Sequence, residues 1–207
     1  MKNDVGKIAI IGLGYVGLPL AVGLSKKYDV IGFDINSLRI EDLKNAKDVT
    51  NELTKTDIAC LKNIKLTFDE NDLVEANQFI VTVPTPIKRN NDPDLSYLIK
   101  ASELVSKHIK KGTHIIYEST VYPGATEEVC LPILQKNTNL EFNQDFFLGY
   151  SPERINPGDK KHKLENIVKV TSGSNDEAAE FIDDLYNSVI DAGTFKASSI
   201  SVAEAAK

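Results

Sequence analysis

The sequence is poor in the residues that mark several protein classes. Its 207 residues include no tryptophan, one methionine, two cysteines and three histidines. The cysteines, Cys60 and Cys130, lie far apart, which excludes a disulfide-stapled scaffold and predicts reduced, buried thiols in a cytoplasmic protein. No group of His, Cys and Asp has metal-ligand spacing, so we expect no metal site. His108 and His114 flank a helix-to-strand connection and are predicted to lie on the surface.

Long hydrophobic runs and basic blocks are also lacking. No apolar run approaches the ~20 residues of a membrane span, and the first four residues lead into a strand-like run without the pattern of a signal peptide. The 24 basic and 30 acidic residues give a net charge of −6, which argues against sequence-independent binding to nucleic acid or to an anionic membrane. We therefore expect neither as a partner.

What the sequence contains is typical of a globular α/β protein. Hydrophobic residues make up 42% of the chain, and the length corresponds to one large domain or two small ones at ~150 residues per domain. Apolar strand-like segments alternate with amphipathic helices. The predicted strands are 7–12, 29–34, 65–68, 79–84, 113–119, 146–150 and 167–170; the predicted helices are 16–27, 37–46, 51–61, 94–110, 125–135, 175–190 and one from Ser199 onwards. This alternation predicts a doubly wound, mostly parallel sheet of the Rossmann type.

A glycine motif connects the first predicted strand to the first predicted helix. Gly12, Gly14 and Gly17 form G-x-G-x-x-G. Gly12 permits a tight turn, Gly14 lets a pyrophosphate approach the backbone, and Gly17 lets the helix pack on the strand. Asp34 ends the next strand, ~20 residues further on, as the dinucleotide-binding fingerprint requires. The helix N-terminus supplies amide donors to the phosphates.

Asp34 also bears on the choice between NAD and NADP. A carboxylate at this strand end accepts hydrogen bonds from the adenosine ribose and repels a 2′-phosphate. Arg39 lies nearby in the sequence, and an arginine can accommodate that phosphate. Since Asp34 stands at the strand end itself, we expect NAD.

Two further strand ends carry hydroxyl groups. Residues 83–86 (VPTP) close a strong strand and include Thr85, and residues 118–124 (ESTVYPG) close another. Ligands bind at the carboxyl edge of such sheets, so these hydroxyls are candidate cofactor contacts. From the residues alone, a plain strand terminator explains each segment equally well.

Five segments together resemble the UDP-glucose/GDP-mannose dehydrogenase family. They are GLGYVGLPLA (12–21), VPTP (83–86), ESTVYPGAT (118–126), SPERINPGD (151–159) and AEAAK (203–207). The resemblance covers essentially the whole chain. It implies an NAD-dependent enzyme that oxidises the C6 alcohol of a nucleotide sugar to a carboxylate and consumes two NAD⁺ per sugar.

The substrate segment resembles the branch that acts on UDP-N-acetylhexosamines. Arg154 and Pro157 stand where UDP-glucose enzymes have a phenylalanine and a second glutamate. The resemblance thus implies a UDP-N-acetylhexosamine 6-dehydrogenase in surface polysaccharide precursor synthesis. The alternatives are a 6-dehydrogenase for UDP-glucose or another nucleotide sugar, and a stand-alone NAD-binding regulatory module.

The resemblance also implies roles for single residues on the cofactor side. The backbone at Tyr15 and Val16 contacts the pyrophosphate, together with the three glycines. Asp34 and Arg39 hold the adenosine end. Thr85 and Thr120 contact the nicotinamide half, and Thr120 also orders the catalytic water.

On the substrate side, the implied roles fall on two segments near the end of the chain. Glu153 is the acid/base group of the sugar pocket. Arg154, Ile155 and Asn156 belong to the substrate loop, and Lys207 stabilises the oxyanion at C6.

Finally, the resemblance implies a domain plan. Residues 1–198 correspond to the NAD-binding domain and 199–207 to the start of a central helix, with the dimerisation and nucleotide-sugar domains absent. The family's nucleophilic cysteine lies further downstream, and neither Cys60 nor Cys130 has a glycine-rich or basic setting. We therefore expect the 207 residues alone to be inactive, and the full-length protein to be a homodimer or larger.

Overall fold

The computed structural model describes residues 5–89, 91–153 and 166–207. Its central element is a sheet of six parallel strands in the order β3-β2-β1-β4-β5-β6. The strands are β1 (Ile8–Ile11), β2 (Val30–Phe33), β3 (Ile64–Thr67), β4 (Gln78–Val81), β5 (Thr113–Tyr117) and β6 (Phe146–Tyr150). This is the strand order of a doubly wound dinucleotide-binding sheet, so the predicted fold class is confirmed.

Helices cover both faces of this sheet. They are α1 (Gly17–Ser25), α2 (Ser37–Lys44), α3 (Lys55–Cys60), α4 (Ser96–Ser106), α5 (Leu131–Lys136), α6 (Asp176–Asn187) and α7 (Ile200–Ala205), with 3₁₀ turns at Leu61–Asn63 and Glu70–Glu75 and a π-helical turn at Thr126–Cys130. One apolar cluster includes α1, α2 and α6, and a second includes α4, α5 and α7. No helix within the described ranges has the length and apolarity needed to cross a membrane.

The strand sequences explain why the sheet lies inside. In β1, Ile8 and Ile10 face one cluster while Ala9 and Ile11 face the other. All four are buried, and each fully buried isoleucine contributes roughly 1.5–3 kcal/mol through the hydrophobic effect. Strands apolar on both faces are stable only between two layers of helices.

A small second sheet follows the central one. Strands β7 (Lys169–Thr171) and β8 (Thr194–Lys196) pair in parallel and are connected by α6. An antiparallel bridge between Gly149 and Gly173 joins them to β6. The sequence indicated the first of these strands, but β8 was not predicted because it has three residues and only one of them, Phe195, is strongly apolar.

His114 corrects the prediction that it lies on the surface. It belongs to β5 and is buried, with its ring stacked on Phe181 at 3.8 Å between centroids and on Phe147 at 4.9 Å. Its Nδ1 lies 3.1 Å from Oε1 of Gln78. Burial lowers the pKa of His114 to about 4, because the cationic ring is poorly solvated there. The apolar faces of the imidazole fit the stack under α6, which sequence position did not indicate.

Candidate active site

The glycine motif forms a turn that is crowded at one glycine and open at another. A Cβ on Gly17 would lie 2.0 Å from the carbonyl oxygen of Gly12 and 2.3 Å from Oγ1 of Thr82. Gly12 itself has a φ of 100°, in the left-handed region that favours glycine. A Cβ on Gly14 would meet nothing within 4 Å. The backbone at Gly14 therefore faces open space at the N-terminus of α1, which fits a pyrophosphate.

Asp34 lies directly after β2 and is oriented by the backbone. Its Oδ2 accepts a hydrogen bond from Leu13 N at 2.8 Å, and its Oδ1 accepts one from Asn36 N at 2.9 Å. The carboxylate is thus fixed beside the glycine turn, at the carboxyl end of the strand. This is the position from which a carboxylate accepts hydrogen bonds from ribose hydroxyls.

Arg39 supports the same turn from α2. Its Nε donates to the carbonyl of Leu13 at 2.9 Å, and its Nη2 lies 3.0 Å from Oδ1 of Asp48. Burial alone would raise the pKa of Asp48, but hydrogen bonds from Thr50, from the amide of Leu53 and from Arg39 lower it below its usual value. The charge of Arg39 is therefore balanced by Asp48. Its Nη1 is buried and has no hydrogen-bond partner among the described protein groups.

The loops after β4 and β5 are fastened to each other. The Thr85 hydroxyl donates to the carbonyl of Thr120 at 2.6 Å, and the Ser119 hydroxyl donates to the carbonyl of Val83 at 2.6 Å. Thr120 is exposed at this edge of the sheet. The structure thus brings Thr85 and Thr120 together at the carboxyl edge.

Glu153 and Lys207 also meet, although 54 positions separate them. The Lys207 ammonium donates to the backbone carbonyl of Glu153, and the Glu153 side chain is buried. Arg154, Ile155 and Asn156 lie outside the described residues. Two of the predicted substrate-side residues are therefore placed side by side, at the end of a segment that follows β6.

Sequence reasoning did not identify a group of buried charged and polar side chains that includes Glu153. We call its members, Glu118, Glu153, Lys169 and Tyr186, the buried charge cluster. The Lys169 ammonium lies 2.6 Å from Oε2 of Glu118 and 4.0 Å from Oε2 of Glu153, and the Tyr186 hydroxyl donates to Oε1 of Glu118. Burial raises the pKa of Glu118 even though Lys169 lowers it. The signal in the sequence for this cluster was a lysine between Val168 and Val170 in a predicted strand.

Glu204 is a second functional side chain that sequence reasoning missed. It is buried in α7, and its carboxylate accepts hydrogen bonds from Gly124 N at 2.5 Å and from Thr126 N at 2.9 Å. These amides lie at the start of the helical segment that leads into α5, where a negative charge is stabilising. Glu204 therefore fastens α7, which precedes Lys207, to the loop that carries Thr120.

Neither cysteine has the surroundings of a nucleophile. Cys130 is buried, and burial raises the pKa of its thiol to about 11, which leaves little thiolate near neutral pH. Cys60 is half-buried at the end of α3, where its Sγ lies 3.6 Å from the carbonyl of Thr56. The prediction of buried thiols is correct for Cys130 and only in part for Cys60.

Comparison with known proteins shows the family to which the chain belongs. The model of the UDP-glucose/GDP-mannose dehydrogenase family, NAD binding domain, matches residues 6–190. A UDP-N-acetyl-D-glucosamine 6-dehydrogenase of Pseudomonas aeruginosa is 58% identical over 201 residues, covering 97% of this chain and 48% of the relative. A protein of the same name from Salmonella typhi is 56% identical, covering 99% and 48%.

A solved structure agrees with this assignment. The UDP-D-ManNAc dehydrogenase from Pyrococcus horikoshii matches with a TM-score of 0.88 at 33% identity, over 97% of this chain and 49% of that one. The chain thus spans about half the length of the relatives that it matches. The chain belongs to the UDP-glucose/GDP-mannose dehydrogenase family and contains its NAD binding domain.

Proposed function

We propose that this chain supplies the NAD site and part of the sugar site of a 6-dehydrogenase that oxidises a UDP-N-acetylhexosamine to the uronic acid with two NAD⁺. The observation that carries the proposal is the meeting of Lys207 with Glu153, close to the cofactor edge of the sheet. The names of the relatives from Pseudomonas aeruginosa and Salmonella typhi support the choice of sugar.

In this proposal the cofactor side holds NAD through backbone and one carboxylate. The backbone at Tyr15 and Val16 and the open face of Gly14 receive the pyrophosphate, next to the positive end of the α1 dipole. Asp34 binds the ribose hydroxyls, and Arg39 holds the turn at the adenosine end through its bond to the carbonyl of Leu13. Thr85 and Thr120 contact the nicotinamide half. NAD⁺ bound at these residues would supply the hydride acceptor for the oxidation at C6.

The substrate side handles the proton and the charge on oxygen. Loss of a hydride from an alcohol also releases the hydroxyl proton, and the Glu153 carboxylate accepts it. The Lys207 ammonium stabilises the negative charge that develops on the C6 oxygen. Its hydrogen bond to the backbone carbonyl of Glu153 anchors it to the residue that carries this carboxylate, so base and oxyanion partner are positioned together.

The remaining roles are proposals of the same kind. Thr120 orders the water of the second oxidation from its exposed position, and residues 154–156 contact the sugar. A nucleophile that traps the aldehyde is expected outside these 207 residues, because Cys130 is buried with a raised pKa. The domain boundary at 198, the homodimer and the cytoplasmic location remain predictions.

The proposal is tested on the product of the complete open reading frame that contains this chain. UDP-GlcNAc, UDP-GalNAc and UDP-glucose are each supplied with NAD⁺, and NADH is measured by absorbance. We expect two NADH per N-acetylhexosamine and a kcat/KM about tenfold or more above that for UDP-glucose. A preference for UDP-glucose would contradict the proposed branch. NAD⁺ binding without turnover of any sugar would favour the regulatory module.

Lys207→Met separates catalysis from folding in the same protein. Loss of an oxyanion partner lowers kcat about 10²–10³-fold, while the Kd for NAD⁺, measured by calorimetry, stays unchanged. The matched control is Lys111→Met, because Lys111 is an exposed lysine that pairs with Asp145 near the other edge of the sheet. A Lys207→Met variant with wild-type kcat would exclude the proposed role.

A further inference from the structure

Lys169 is a buried cation that is held from several sides. Its side chain is 5% exposed, and its ammonium contacts Oε2 of Glu118 at 2.6 Å and the carbonyl of Pro152 at 3.4 Å. The ammonium also lies 5.5 Å from the centre of the Tyr186 ring. Since Pro152 directly precedes Glu153, Lys169 contacts both the backbone before Glu153 and the partner carboxylate Glu118.

Stability alone does not explain this arrangement. Removing two charges from water costs several kcal/mol per ion, and apolar replacements of buried pairs are often neutral or stabilising. Lys196, on the neighbouring strand β8, shows the ordinary alternative, because it is exposed and pairs with Glu180. The distinctive property of Lys169 is that its ammonium lies 4.0 Å from Oε2 of Glu153.

We propose that Lys169 is a positioning residue for Glu153, with its ammonium held in place by Glu118 and Tyr186 so that it orients the Glu153 carboxylate. This inference rests on the proposed role of Glu153 in proton transfer. Within the described part of the chain, the charged and titratable groups around Glu153 include Glu118 after β5, Tyr150 in β6, Lys169 in β7, Tyr186 in α6 and Lys207 after α7.

The arrangement suits a carboxylate that must gain and lose a proton. A cation within about 4–6 Å attracts a carboxylate, so Lys169→Met removes an attraction that acts on the Glu153 carboxylate. When Glu153 accepts the proton of the substrate alcohol, Lys169 retains its ion pair with Glu118. The buried ammonium therefore keeps a charged partner at 2.6 Å throughout the proton transfer.

The test uses the product of the complete open reading frame and three variants. Lys169→Met removes the cation, Lys169→Arg retains it, and Lys196→Met is the matched control on β8. We expect Lys169→Met to move the acid limb of the pH profile of kcat/KM upwards by about one to three pH units. At neutral pH, kcat/KM falls about ten- to hundredfold, within the contribution of one acid–base group. Lys169→Arg restores most of the profile, and Lys196→Met matches the wild type.

A double variant keeps the proposal falsifiable if Lys169→Met unfolds. Glu118→Gln combined with Lys169→Met removes both charges of the Glu118–Lys169 pair, so neither is left unpaired. We expect the same upward move of the acid limb of the pH profile of kcat/KM. The Kd for NAD⁺ stays unchanged in each folded variant. A lowered kcat at an unchanged pH profile would show a merely structural role and overturn the proposal.

An infrared measurement separates this inference from the proposed function. If the wild-type protein turns over no nucleotide sugar, the proposed function fails, and the ionisation of Glu153 is then read from glutamate labelled with ¹³C in the carboxyl group. In Lys169→Met at neutral pH we expect a protonated carboxyl band that disappears when Glu153→Gln is added. Identical carboxyl bands in the wild type and in Lys169→Met would overturn the inference independently of activity.

Discussion

The two sides of the site are built by different physical means. The proposed adenosine side lies within residues 12–50 and is fixed largely by backbone contacts. Asp34 accepts hydrogen bonds from two backbone amides, and Arg39 donates to a backbone carbonyl. Its rim is open, with Ile35 88% and Leu38 68% exposed. The buried charge cluster draws its members from residues 118–186, and each is almost inaccessible to solvent.

The difference corresponds to what each side must do. A dinucleotide brings its own charges and hydrogen-bonding groups, so its site needs a shaped turn, backbone donors and open space. Proton transfer instead needs a carboxylate whose charge is controlled by its neighbours, and such control is strongest where water is excluded. We therefore expect substitutions that change charge to have their larger effects in the buried charge cluster. Substitutions that change side-chain shape should have their larger effects on the adenosine side.

The largest effect is expected when the buried ion pair is broken. Glu118→Gln leaves Lys169 in a buried site without its 2.6 Å partner, and breaking a buried pair from one side costs about 3–5 kcal/mol. The free energy of unfolding of the chain, measured in urea, reports this loss. The double variant with Lys169→Met should recover most of it, because neither charge then remains. A double variant as unstable as Glu118→Gln would show that the hydrogen bond to Tyr186, rather than the charge, stabilises the cluster.

A loss of folding stability of similar size is expected when the pH is lowered, because of His114 near the other end of β5. The folded pKa of His114 is about 4 against about 6.5 when unfolded, so the folded state binds this proton less readily. The contribution of the neutral His114 ring to the free energy of unfolding is fully present above pH 6.5 and is lost as the pH falls from 6.5 to 4. At about 1.4 kcal/mol per pKa unit, the loss is about 3 kcal/mol.

Urea unfolding of the wild type and of His114→Gln between pH 7.5 and 4 checks this prediction. The variant should show a flatter dependence over that range. Glu118 acts in the opposite sense, because a raised carboxyl pKa stabilises the fold as the pH falls. An equal pH dependence in both proteins would assign the acid loss to groups other than His114.

The adenosine side and the fold class were predictable because their signals are local. The apolar strands and the spacing of Gly12, Gly14, Gly17 and Asp34 occur in contiguous segments, and the structure places them as the fingerprint requires. The helix predicted from Ser199 onwards is also found, and the Ser199 side chain caps it by accepting from Val202 N.

The buried polar residues were not predictable, because they depend on contacts between distant segments. Lys169, Glu204 and His114 each look like an ordinary polar residue in a strand or helix. Their hydrogen-bond partners Glu118, Thr126 and Gln78 lie 51, 78 and 36 positions away. Burial of such groups follows only from the way in which β6, β7, α6 and α7 pack. Periodicity reports which face is apolar, not which polar side chain finds a partner there.

A pair of glycine variants sharpens the contrast by separating stability from affinity. Gly17→Ala places a methyl group 2.0 Å from the Gly12 carbonyl oxygen, so the free energy of unfolding should fall by about 1–3 kcal/mol or more. Gly14→Ala meets no protein atom within 4 Å, so it should keep the wild-type stability while its methyl group obstructs the pyrophosphate and weakens NAD⁺ binding. Urea unfolding and calorimetry of both variants measure the two effects. Wild-type affinity for NAD⁺ in Gly14→Ala would place the pyrophosphate elsewhere.

The smallest effect is expected from charge on the adenosine side, at Asp34. Asp34→Asn retains an acceptor for Leu13 N and loses the negative charge that repels a 2′-phosphate. The ratio of the Kd values for NADP⁺ and NAD⁺ should fall about tenfold, which corresponds to about 1.4 kcal/mol. Asp48→Asn is the matched control, because it removes a carboxylate that pairs with Arg39 and lies behind the turn. A larger change of this ratio in Asp48→Asn than in Asp34→Asn would mean that the charge balance of Arg39 selects the cofactor. The adenosine side would then depend on paired charges, as the buried charge cluster does, more than its backbone contacts indicate.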